Sequence, residues 1–303
     1  MSESPFHSGL IIKAQSGIFD VDIGGRVISS KLRGRLTQAP MESDAAALGD
    51  RVSLSLLEDG TGAIEEIEER VRVLSRPAPG RPDIEQVLVA NPDQAVFVFS
   101  CAEPDPNFRM LDRLLIVAER EEIPAIICAN KIDLVVLRSA KAEFDPYTDL
   151  GYEIIYTSAT KRKGIRKLTK ALQGKVTVLA GPSGVGKSSL LNVIQPGLGL
   201  RIQDSDWSGK GKHTTVVPEL IPLEMGGYVA DTPGIKAFGI WDIEPDELDA
   251  YFPEMRDLVA DCAFSDCTHM HEPDCAIIDA VEQGLIAPER YDSYLRIRQG
   301  ELE

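Results

Sequence analysis

Alternating apolar and polar positions dominate the first quarter of the chain. The odd positions of segment 18–23 are apolar, whereas Asp20 and Asp22 occupy the other face, which predicts a half-buried strand. Gly24–Gly25 marks a turn, and the segment Arg26–Leu36 reads as the returning strand. Further turn signals flank a short strand at Arg51–Leu56. We expect residues 1–75 to form a small all-β domain, with the five-stranded oligonucleotide-binding (OB) barrel as the best fit.

The middle of the chain alternates apolar, β-branched runs with a helical segment at Met110–Arg120. This rhythm predicts a mostly parallel sheet with helices on both faces, an α/β domain over residues 76–243. The proline-rich stretch 75–82 reads as the linker before it, and residues 244–303 read as an acidic, mainly helical domain. The predicted strands are Ala95–Ser100, Ala125–Ala129, Glu153–Tyr156, Val176–Ala180 and Gly226–Ala230.

Residues 181–188 read GPSGVGKS, which matches the phosphate-binding pattern G-x-x-x-x-G-K-[ST] at every fixed position. An apolar predicted strand precedes the motif, and a segment of helical composition, Lys187–Ile194, follows it. Strand, glycine-rich loop and helix start together form a site for a nucleotide phosphate.

A second motif, Asn130–Asp133, reads N-K-I-D and follows the predicted strand 125–129. The Asp133 carboxylate can accept hydrogen bonds from the ring N–H and the exocyclic amine of guanine. Adenine would leave that carboxylate unpaired, a difference of roughly 10⁴-fold in comparable hydrogen-bonding sites. Ser158–Ala159, at the next strand end, can offer backbone N–H groups to the guanine oxygen.

Asp231–Gly234 follows the last predicted strand, where Asp231 would hold Mg²⁺ through water and the Gly234 amide would sense the γ-phosphate. Thr214 and Thr215, in a glycine-rich stretch, are both candidates for the threonine that binds Mg²⁺ only in the triphosphate state. Ile235 stands where many GTPases carry the glutamine that orients water, so intrinsic hydrolysis should be slow. His213 is the nearest polar replacement, or a loop histidine without a catalytic role.

The order of these motifs is unusual, because the guanine-binding half precedes the phosphate-binding half. Hydrogen bonding between strands fixes a sheet wherever the chain is cut, so a circular permutation preserves the site. The last switch motif then leads directly into the C-terminal domain.

That domain holds three of the five cysteines in the pattern Cys262-x₄-Cys267-x-His269-x₅-Cys275. Three thiolates and one imidazole complete a tetrahedral shell for one structural zinc ion and leave no open position for catalysis. His271 is a rival for the fourth position. Cys101 and Cys128 lie in apolar strands and are more typical of core residues.

The net charge of −16 argues against indiscriminate binding to nucleic acid, and residues 244–303 carry 4 basic against 16 acidic groups. Two local basic groups remain as candidate RNA contacts or as solvated faces. Their members are Lys31, Arg33 and Arg35 on one predicted strand face, and Lys161, Arg162, Lys163, Arg166, Lys167 and Lys170. A polar N-terminus, no long apolar run and few cysteines predict a cytoplasmic protein that does not enter a membrane.

Taken together, the permuted motif order, Gly211–Thr215, Leu111–Arg113 and the cysteine spacing resemble the RsgA family of small ribosomal subunit biogenesis GTPases along nearly the whole chain. The resemblance implies an OB barrel, a circularly permuted GTPase domain and a zinc domain. It also implies docking of a monomer on the small subunit and its rRNA late in maturation, with hydrolysis stimulated there. The alternative is a GTP-responsive module acting on a protein or a non-ribosomal RNA.

The predicted site falls into three sets. Catalysis is assigned to His213 and Lys187, and zinc to Cys262, Cys267, His269 and Cys275. GTP and Mg²⁺ are assigned to Asn130, Lys131, Ile132, Asp133, Ser158, Ala159, Gly181, Pro182, Ser183, Gly184, Val185, Gly186, Lys187, Ser188, Ser189, Thr214, Thr215, Asp231 and Gly234.

Overall fold

Five N-terminal strands close into a barrel, as the alternating pattern predicts. The computed structural model describes residues 6–37, 44–78, 81–200, 219–231 and 243–301. The barrel has strand order β1-β2-β3-β5-β4, and side chains such as Ile11, Val21 and Ile64 fill it with no solvent exposure. Its strands are β1 (His7–Gln15), β2 (Ile18–Asp22), β3 (Val27–Leu32), β4 (Arg51–Leu56) and β5 (Gly62–Ile67).

The predicted returning strand ends earlier than expected, at Leu32, and a 3₁₀ turn follows at Gly34–Thr37. Arg33 donates to the Glu65 carboxylate at 2.9 Å, and Arg35 donates to the Glu65 carbonyl at 2.7 Å. The prediction of one extended basic strand face at 31, 33 and 35 was therefore wrong. In the observed turn, Glu65 on β5 accepts hydrogen bonds from both arginines.

The predicted proline-rich linker is a β-hairpin instead. Strands β6 (Val73–Ala78) and β7 (Arg81–Ala90) pair antiparallel as a separate two-stranded sheet. Leu74 and Val89 of this hairpin are buried in the core of the central sheet. Prolines near the connection between the strands are tolerated, because each strand of a two-stranded ribbon keeps one unpaired edge.

The central sheet has the order β10-β9-β8-β11-β13-β12 and is parallel except for the edge strand β12. Its strands are β8 (Gln94–Ser100), β9 (Ala125–Asn130), β10 (Glu153–Tyr156), β11 (Val176–Ala180), β12 (Leu220–Pro222) and β13 (Tyr228–Asp231). Every residue of β8 is buried, as expected of a central strand covered on both faces. The sheet confirms the predicted α/β class.

Helices cover both faces of this sheet and create two cores. Leu111 and Leu115 of α1 pack on one face, and Leu168 of α4 and Leu190 of α5 pack on the other. The helices are α1 (Phe108–Arg120), α2 (Leu137–Phe144), α3 (Pro146–Asp149), α4 (Ile165–Leu172) and α5 (Lys187–Ile194), with a 3₁₀ turn at Pro196–Leu198. Parallel strands connected by crossover helices place all loops that carry motifs at one edge of the sheet.

The C-terminal region is helical, as predicted, and shares a core with the sheet domain. Ile116 of α1 is buried together with Phe252, Met255 and Tyr294. The elements are α6 (Pro253–Arg256), α7 (Ala276–Glu282) and α8 (Pro288–Arg298), with 3₁₀ turns at Pro245–Tyr251 and Val259–Asp261.

A buried ion network holds α8 against α1. The Arg290 guanidinium donates to Asp112 at 2.6 Å and to both carboxylate oxygens of Glu254 at 2.6 and 3.1 Å. Ser293 and Tyr147 donate their hydroxyls to the same Asp112. This network is nearly inaccessible to water, so the removal of one charge would leave its partners buried and unpaired.

The barrel contacts the central sheet at the edge formed by β12 and β13. The Tyr228 hydroxyl on β13 donates to Asp22 of β2 at 2.9 Å, and Lys13 forms an ion pair with Glu219 at 3.5 Å. The barrel therefore touches the strand that ends at Asp231, one of the predicted switch residues.

Candidate guanine-nucleotide site and Cys/His centre

The predicted guanine and phosphate motifs meet at the carboxyl edge of the central sheet. β9 ends at Asn130, β10 ends before Ser158, and β11 ends before Gly181. In the sheet, β9 lies beside β10 and is separated from β11 by β8 alone, although Asn130 and Gly181 are 51 positions apart in sequence. Parallel pairing thus assembles in space the motifs that the permuted chain presents in reverse order.

The phosphate loop joins β11 to α5, which begins at Lys187. Gly181 has φ +148°, and a Cβ there would lie 2.0 Å from the Val98 carbonyl oxygen, so only glycine fits. The Lys187 ammonium donates to the carbonyls of Gly181 and Pro182 at 2.6 and 2.8 Å. The loop curls over the start of a helix, where backbone N–H groups and the helix dipole attract phosphate.

Asn130 connects the base-binding loop to the phosphate loop. Its side chain is buried, donates to the Val185 carbonyl at 2.8 Å, and accepts from the Thr157 hydroxyl at 3.0 Å. Gly186 lies against the same amide, since a Cβ at Gly186 would come within 2.4 Å of Asn130 Nδ2. Asn130 therefore bridges the two loops, and its role in nucleotide binding stays a prediction.

Asp133 is held as a carboxylate by hydroxyl groups. The Thr160 hydroxyl donates to Asp133 Oδ2 at 2.8 Å. The Ser158 hydroxyl is the main cause that lowers the pKa of Asp133 below its ordinary value. Burial opposes it as the second-largest effect, and the Thr160 hydroxyl and the Lys161 charge lower the pKa further by smaller amounts. The ionised form is the one that can accept two hydrogen bonds from guanine.

A cleft of about 220 Å³ opens between these loops. Its size and mixed lining suit a purine base with part of its ribose. The lining residues are Asn130, Lys131, Asp133, Leu134, Ala159, Thr160, Gly186 and Ser189.

The structure shows where four predicted base-site residues lie and what they contact. The backbone N–H of Ser158 donates to the Lys163 carbonyl at 3.0 Å, so the amide of Ala159, on the cleft wall, is the remaining candidate for the guanine oxygen. Lys131 has a positive φ of +62° and donates its ammonium to the Glu103 carbonyl, which directs its stem along the cleft. The Ile132 N–H bonds to the Thr157 carbonyl at 3.2 Å and fixes this loop on β10.

Thr160 is a site residue that the sequence reasoning missed. It follows the Ser158–Ala159 pair directly, and a hydroxyl within two residues of that pair is the signal that could have found it. Thr157, which supports Asn130, was also missed because threonine at a strand end is common and carries no motif.

Several predicted switch residues lie outside the described residues. These are His213, Thr214, Thr215, Gly234 and Ile235. Asp231 is the last residue of β13, at the same sheet edge as the phosphate loop.

The four predicted zinc ligands converge on one point, with their donor atoms all within 4.8 Å of one another. His269 Nδ1 lies 3.5 Å from Cys262 Sγ and 3.4 Å from Cys275 Sγ, and these two sulfurs are 4.0 Å apart. Zinc–sulfur bonds of about 2.3 Å in a tetrahedron separate sulfurs by about 3.8 Å. The donor set therefore fits one tetrahedral zinc ion. His271 is exposed and outside the group of four.

Neighbouring side chains orient the imidazole of His269. Its Nε2 lies 3.1 Å from Asp249 Oδ2, so the carboxylate holds the proton on Nε2 and leaves Nδ1 free to bind metal. Tyr291 and Tyr294 of α8 donate to the carbonyls of His269 and Thr268 at 2.6 and 3.0 Å. The Cys/His centre is thereby attached to the helix that Arg290 fixes to the sheet domain.

The other two cysteines are core residues, as expected. Cys101 and Cys128 are buried in the sheet domain, where burial raises the pKa of the Cys101 thiol to about 11 and that of Cys128 to about 12. Neither belongs to a metal-binding group in the described part of the chain.

No helix within the described ranges is long and apolar enough to cross a bilayer.

Comparison with known proteins gives one consistent result. A family model described as RsgA GTPase matches residues 67–241. The small ribosomal subunit biogenesis GTPase RsgA of Gemmatimonas aurantiaca is 41% identical over 96% of both chains. The crystal structure of YjeQ from Thermotoga maritima superposes with a TM-score of 0.81 at 37% identity and covers 98% of this chain and 99% of its own. The structure of YloQ, described as a circularly permuted GTPase, gives 0.76 at 34% identity over 98% and 95%.

Proposed function

Because the chain belongs to the RsgA GTPase family, we propose that it binds the small ribosomal subunit, assists its late maturation, hydrolyses GTP there and then dissociates. The observation that carries this proposal is a cleft lined by both the base loop and the phosphate loop. Asn130 of the base loop is bonded to Val185 of the phosphate loop. A base-specific pocket joined directly to a phosphate loop is suited to sensing which guanine nucleotide is bound. The chain matches its relatives over nearly their full length, which supports a common partner.

Within the cleft, Asp133 and the Ala159 amide read the guanine while Lys187 and the loop amides bind the phosphates. Asn130, Lys131 and Ile132 shape the base loop, and residues 181–189 form the phosphate loop. Mg²⁺, when bound, neutralises phosphate charge. We assign it to Ser188, Asp231 and one of the two threonines at 214 and 215.

Hydrolysis is expected to be slow in the free protein. Ile235 has no polar atom with which to hold the attacking water, so a second group must position that water. We assign this role to His213. Stimulation by the small subunit follows if docking brings His213 to the γ-phosphate side of the cleft.

The Cys/His centre is proposed to hold one structural zinc ion through Cys262, Cys267, His269 and Cys275. Four protein ligands leave no open position, so its role is to shape the C-terminal docking domain. The buried Arg290 network supports this role, because it fixes α8 of the zinc domain to α1 of the sheet domain.

The protein is proposed to act as a cytoplasmic monomer of three domains, residues 1–75, 76–243 and 244–303. We assign rRNA contacts to the exposed basic residues around 161–170 and to Lys31. Arg33 and Arg35 are weaker candidates, since Glu65 already occupies both.

Co-sedimentation with purified small subunits tests the proposal. The protein should pellet with subunits in the presence of a non-hydrolysable GTP analogue and stay in the supernatant with GDP. Equal partition in the two states, or pelleting with a protein or non-ribosomal RNA instead, would favour a GTP-responsive module with another partner.

A further inference from the structure

The loop between β8 and α1 lies against both halves of the nucleotide site. We call residues 101–107 the anchor loop. The Cys101 N–H donates to the Asn130 carbonyl at 2.8 Å, which joins the start of the anchor loop to the base loop. Pro104 lies beside the phosphate loop, since a Cβ added at Gly184 would be in van der Waals contact with Pro104 Cδ at 3.7 Å. The anchor loop therefore touches the two loops that line the cleft, although no sequence motif marks it.

One residue of the anchor loop binds Lys131, whose stem lies along the base cleft. The Lys131 ammonium donates to the Glu103 backbone carbonyl, and Lys131 itself lines the cleft. Glu103 has a positive φ of +52°, a conformation that residues other than glycine rarely adopt. Such a residue persists only where the surrounding structure fixes it, and residues of this kind are common at binding sites. The direction of the Glu103 carbonyl therefore depends on what holds the rest of the anchor loop.

Ser100, the last residue of β8, attaches the anchor loop to the central sheet. Its side chain is fully buried, and its hydroxyl donates to the Pro104 carbonyl at 2.6 Å. Because Pro104 follows Glu103 directly, this bond restricts the backbone next to the carbonyl that binds Lys131. Ser100 does not line the cleft that the structure describes, so any effect of Ser100 on the nucleotide has to pass through the anchor loop.

We propose that Ser100 is a positioning residue for nucleotide binding, which acts through the anchor loop to hold the Glu103 carbonyl where it keeps Lys131 extended over the base. A lysine side chain loses rotamer freedom when it is ordered, and an ammonium that is bonded before the nucleotide arrives has already lost it. This arrangement favours GDP and GTP alike, since both carry the same base. The proposal rests on the base site of the proposed function and does not involve the ribosomal partner.

Titration of the full-length protein with a fluorescent GDP derivative tests the proposal. Ser100→Ala should weaken binding about fivefold, the equivalent of one net hydrogen bond. Lys131→Met keeps an apolar stem but removes the ammonium, and it should weaken binding about tenfold because hydrogen bonds from charged donors are stronger. The double variant S100A/K131M should bind no more weakly than K131M, because Ser100 acts only through the ammonium. Independent effects would instead multiply to about 50-fold.

Ser293→Ala is the matched control, because Ser293 is also a buried serine with one hydroxyl bond. It donates to Asp112 at 2.5 Å in the interface between α8 and α1. S293A should lower the free energy of unfolding in urea at least as much as S100A and leave the affinity for GDP unchanged. Ser100→Cys keeps the volume of the side chain and donates only weakly, so it should weaken GDP binding even where S100A is unstable.

Steady-state hydrolysis separates positioning of the base from damage to catalysis. S100A should raise the KM for GTP about fivefold and leave kcat unchanged, because the base is held equally in the ground state and the transition state. A general disturbance of the site would lower kcat as well.

Unchanged GDP affinity in both Ser100 variants would overturn the proposal, and so would an equal loss of affinity in S293A or independent losses in S100A/K131M. Unchanged affinity in K131M would overturn it together with the assignment of Lys131 to the base site. A loss in K131M with unchanged Ser100 variants would refute the role of the anchor loop and leave that assignment intact.

Discussion

The contact between Gly186 and Asn130 yields a quantitative prediction about nucleotide affinity. In Gly186→Ala, the new Cβ would lie 2.4 Å from Asn130 Nδ2, and φ is +98°. Accommodating it displaces the Asn130 side chain from its bonds to Val185 and Thr157. The free loop can relieve this contact by shifting, whereas bound nucleotide requires the compact arrangement, so the cost falls on binding.

The magnitude follows from the two bonds of Asn130. Each contributes about 1 kcal/mol, and a buried amide left unsatisfied adds about 1–3 kcal/mol. The sum is about 3–5 kcal/mol, so binding of GDP should weaken at least about 150-fold, which calorimetric or fluorescence titration would measure.

Gly184→Ala is the matched control, because it carries the same backbone strain without the contact. Gly184 has φ +78°, and the nearest heavy atom to its added Cβ is Pro104 Cδ at 3.7 Å. Strain of about 1–2 kcal/mol is then common to both variants. Gly186→Ala should bind GDP at least tenfold more weakly than Gly184→Ala. Equal affinities would refute the assignment of Asn130 as the connection between the two loops.

Further changes test the other parts of the account. Asp133→Asn should shift preference from GTP to xanthosine triphosphate in competition binding, because an amide complements the altered base edge; unchanged preference would contradict the base assignment. His213→Ala should lower subunit-stimulated turnover and leave GTP affinity unchanged, and unaltered turnover would exclude His213 from water positioning. Arg290→Met should destabilise the protein by about 3 kcal/mol in urea unfolding, since it leaves buried carboxylates unpaired. The loss of stability should be smaller in a background that carries Asp112→Asn, and strictly additive losses would argue against the network. Metal analysis should find about one zinc per chain, and Asp249→Ala should weaken zinc binding about 10- to 100-fold in competition with a chelator; a folded, zinc-free protein would refute the centre.

The pattern of apolar and polar residues predicted those strands whose burial follows one regular rule from end to end. Arg51–Leu56 and Val176–Ala180 have the bounds that their alternation or continuous apolar character indicates. The end of β3 and the hairpin β6–β7 were missed for another reason. The turn after Leu32 brings Arg33 to Glu65, more than 30 residues away, and the hairpin packs Leu74 into the sheet core. Contacts between distant segments leave no periodic signal.

The candidate site was predicted as far as its chemistry is encoded in fixed spacings. The phosphate loop, the N-K-I-D segment and the four donors of the Cys/His centre were all identified from spacing. Supporting residues such as Thr160, Thr157 and Asp249 were not, because single polar side chains become meaningful only when the fold places them beside a partner.

GTP turnover measured with and without purified small subunits tests the central claim most directly. Free protein should hydrolyse GTP slowly, on the order of the 10⁻⁴ s⁻¹ of a GTPase without its stimulating partner. Saturating small subunits should raise this rate at least about tenfold, with large subunits as the control. Turnover that is equally slow with small subunits, or equally stimulated by large ones, would contradict a GTPase that acts on the small subunit.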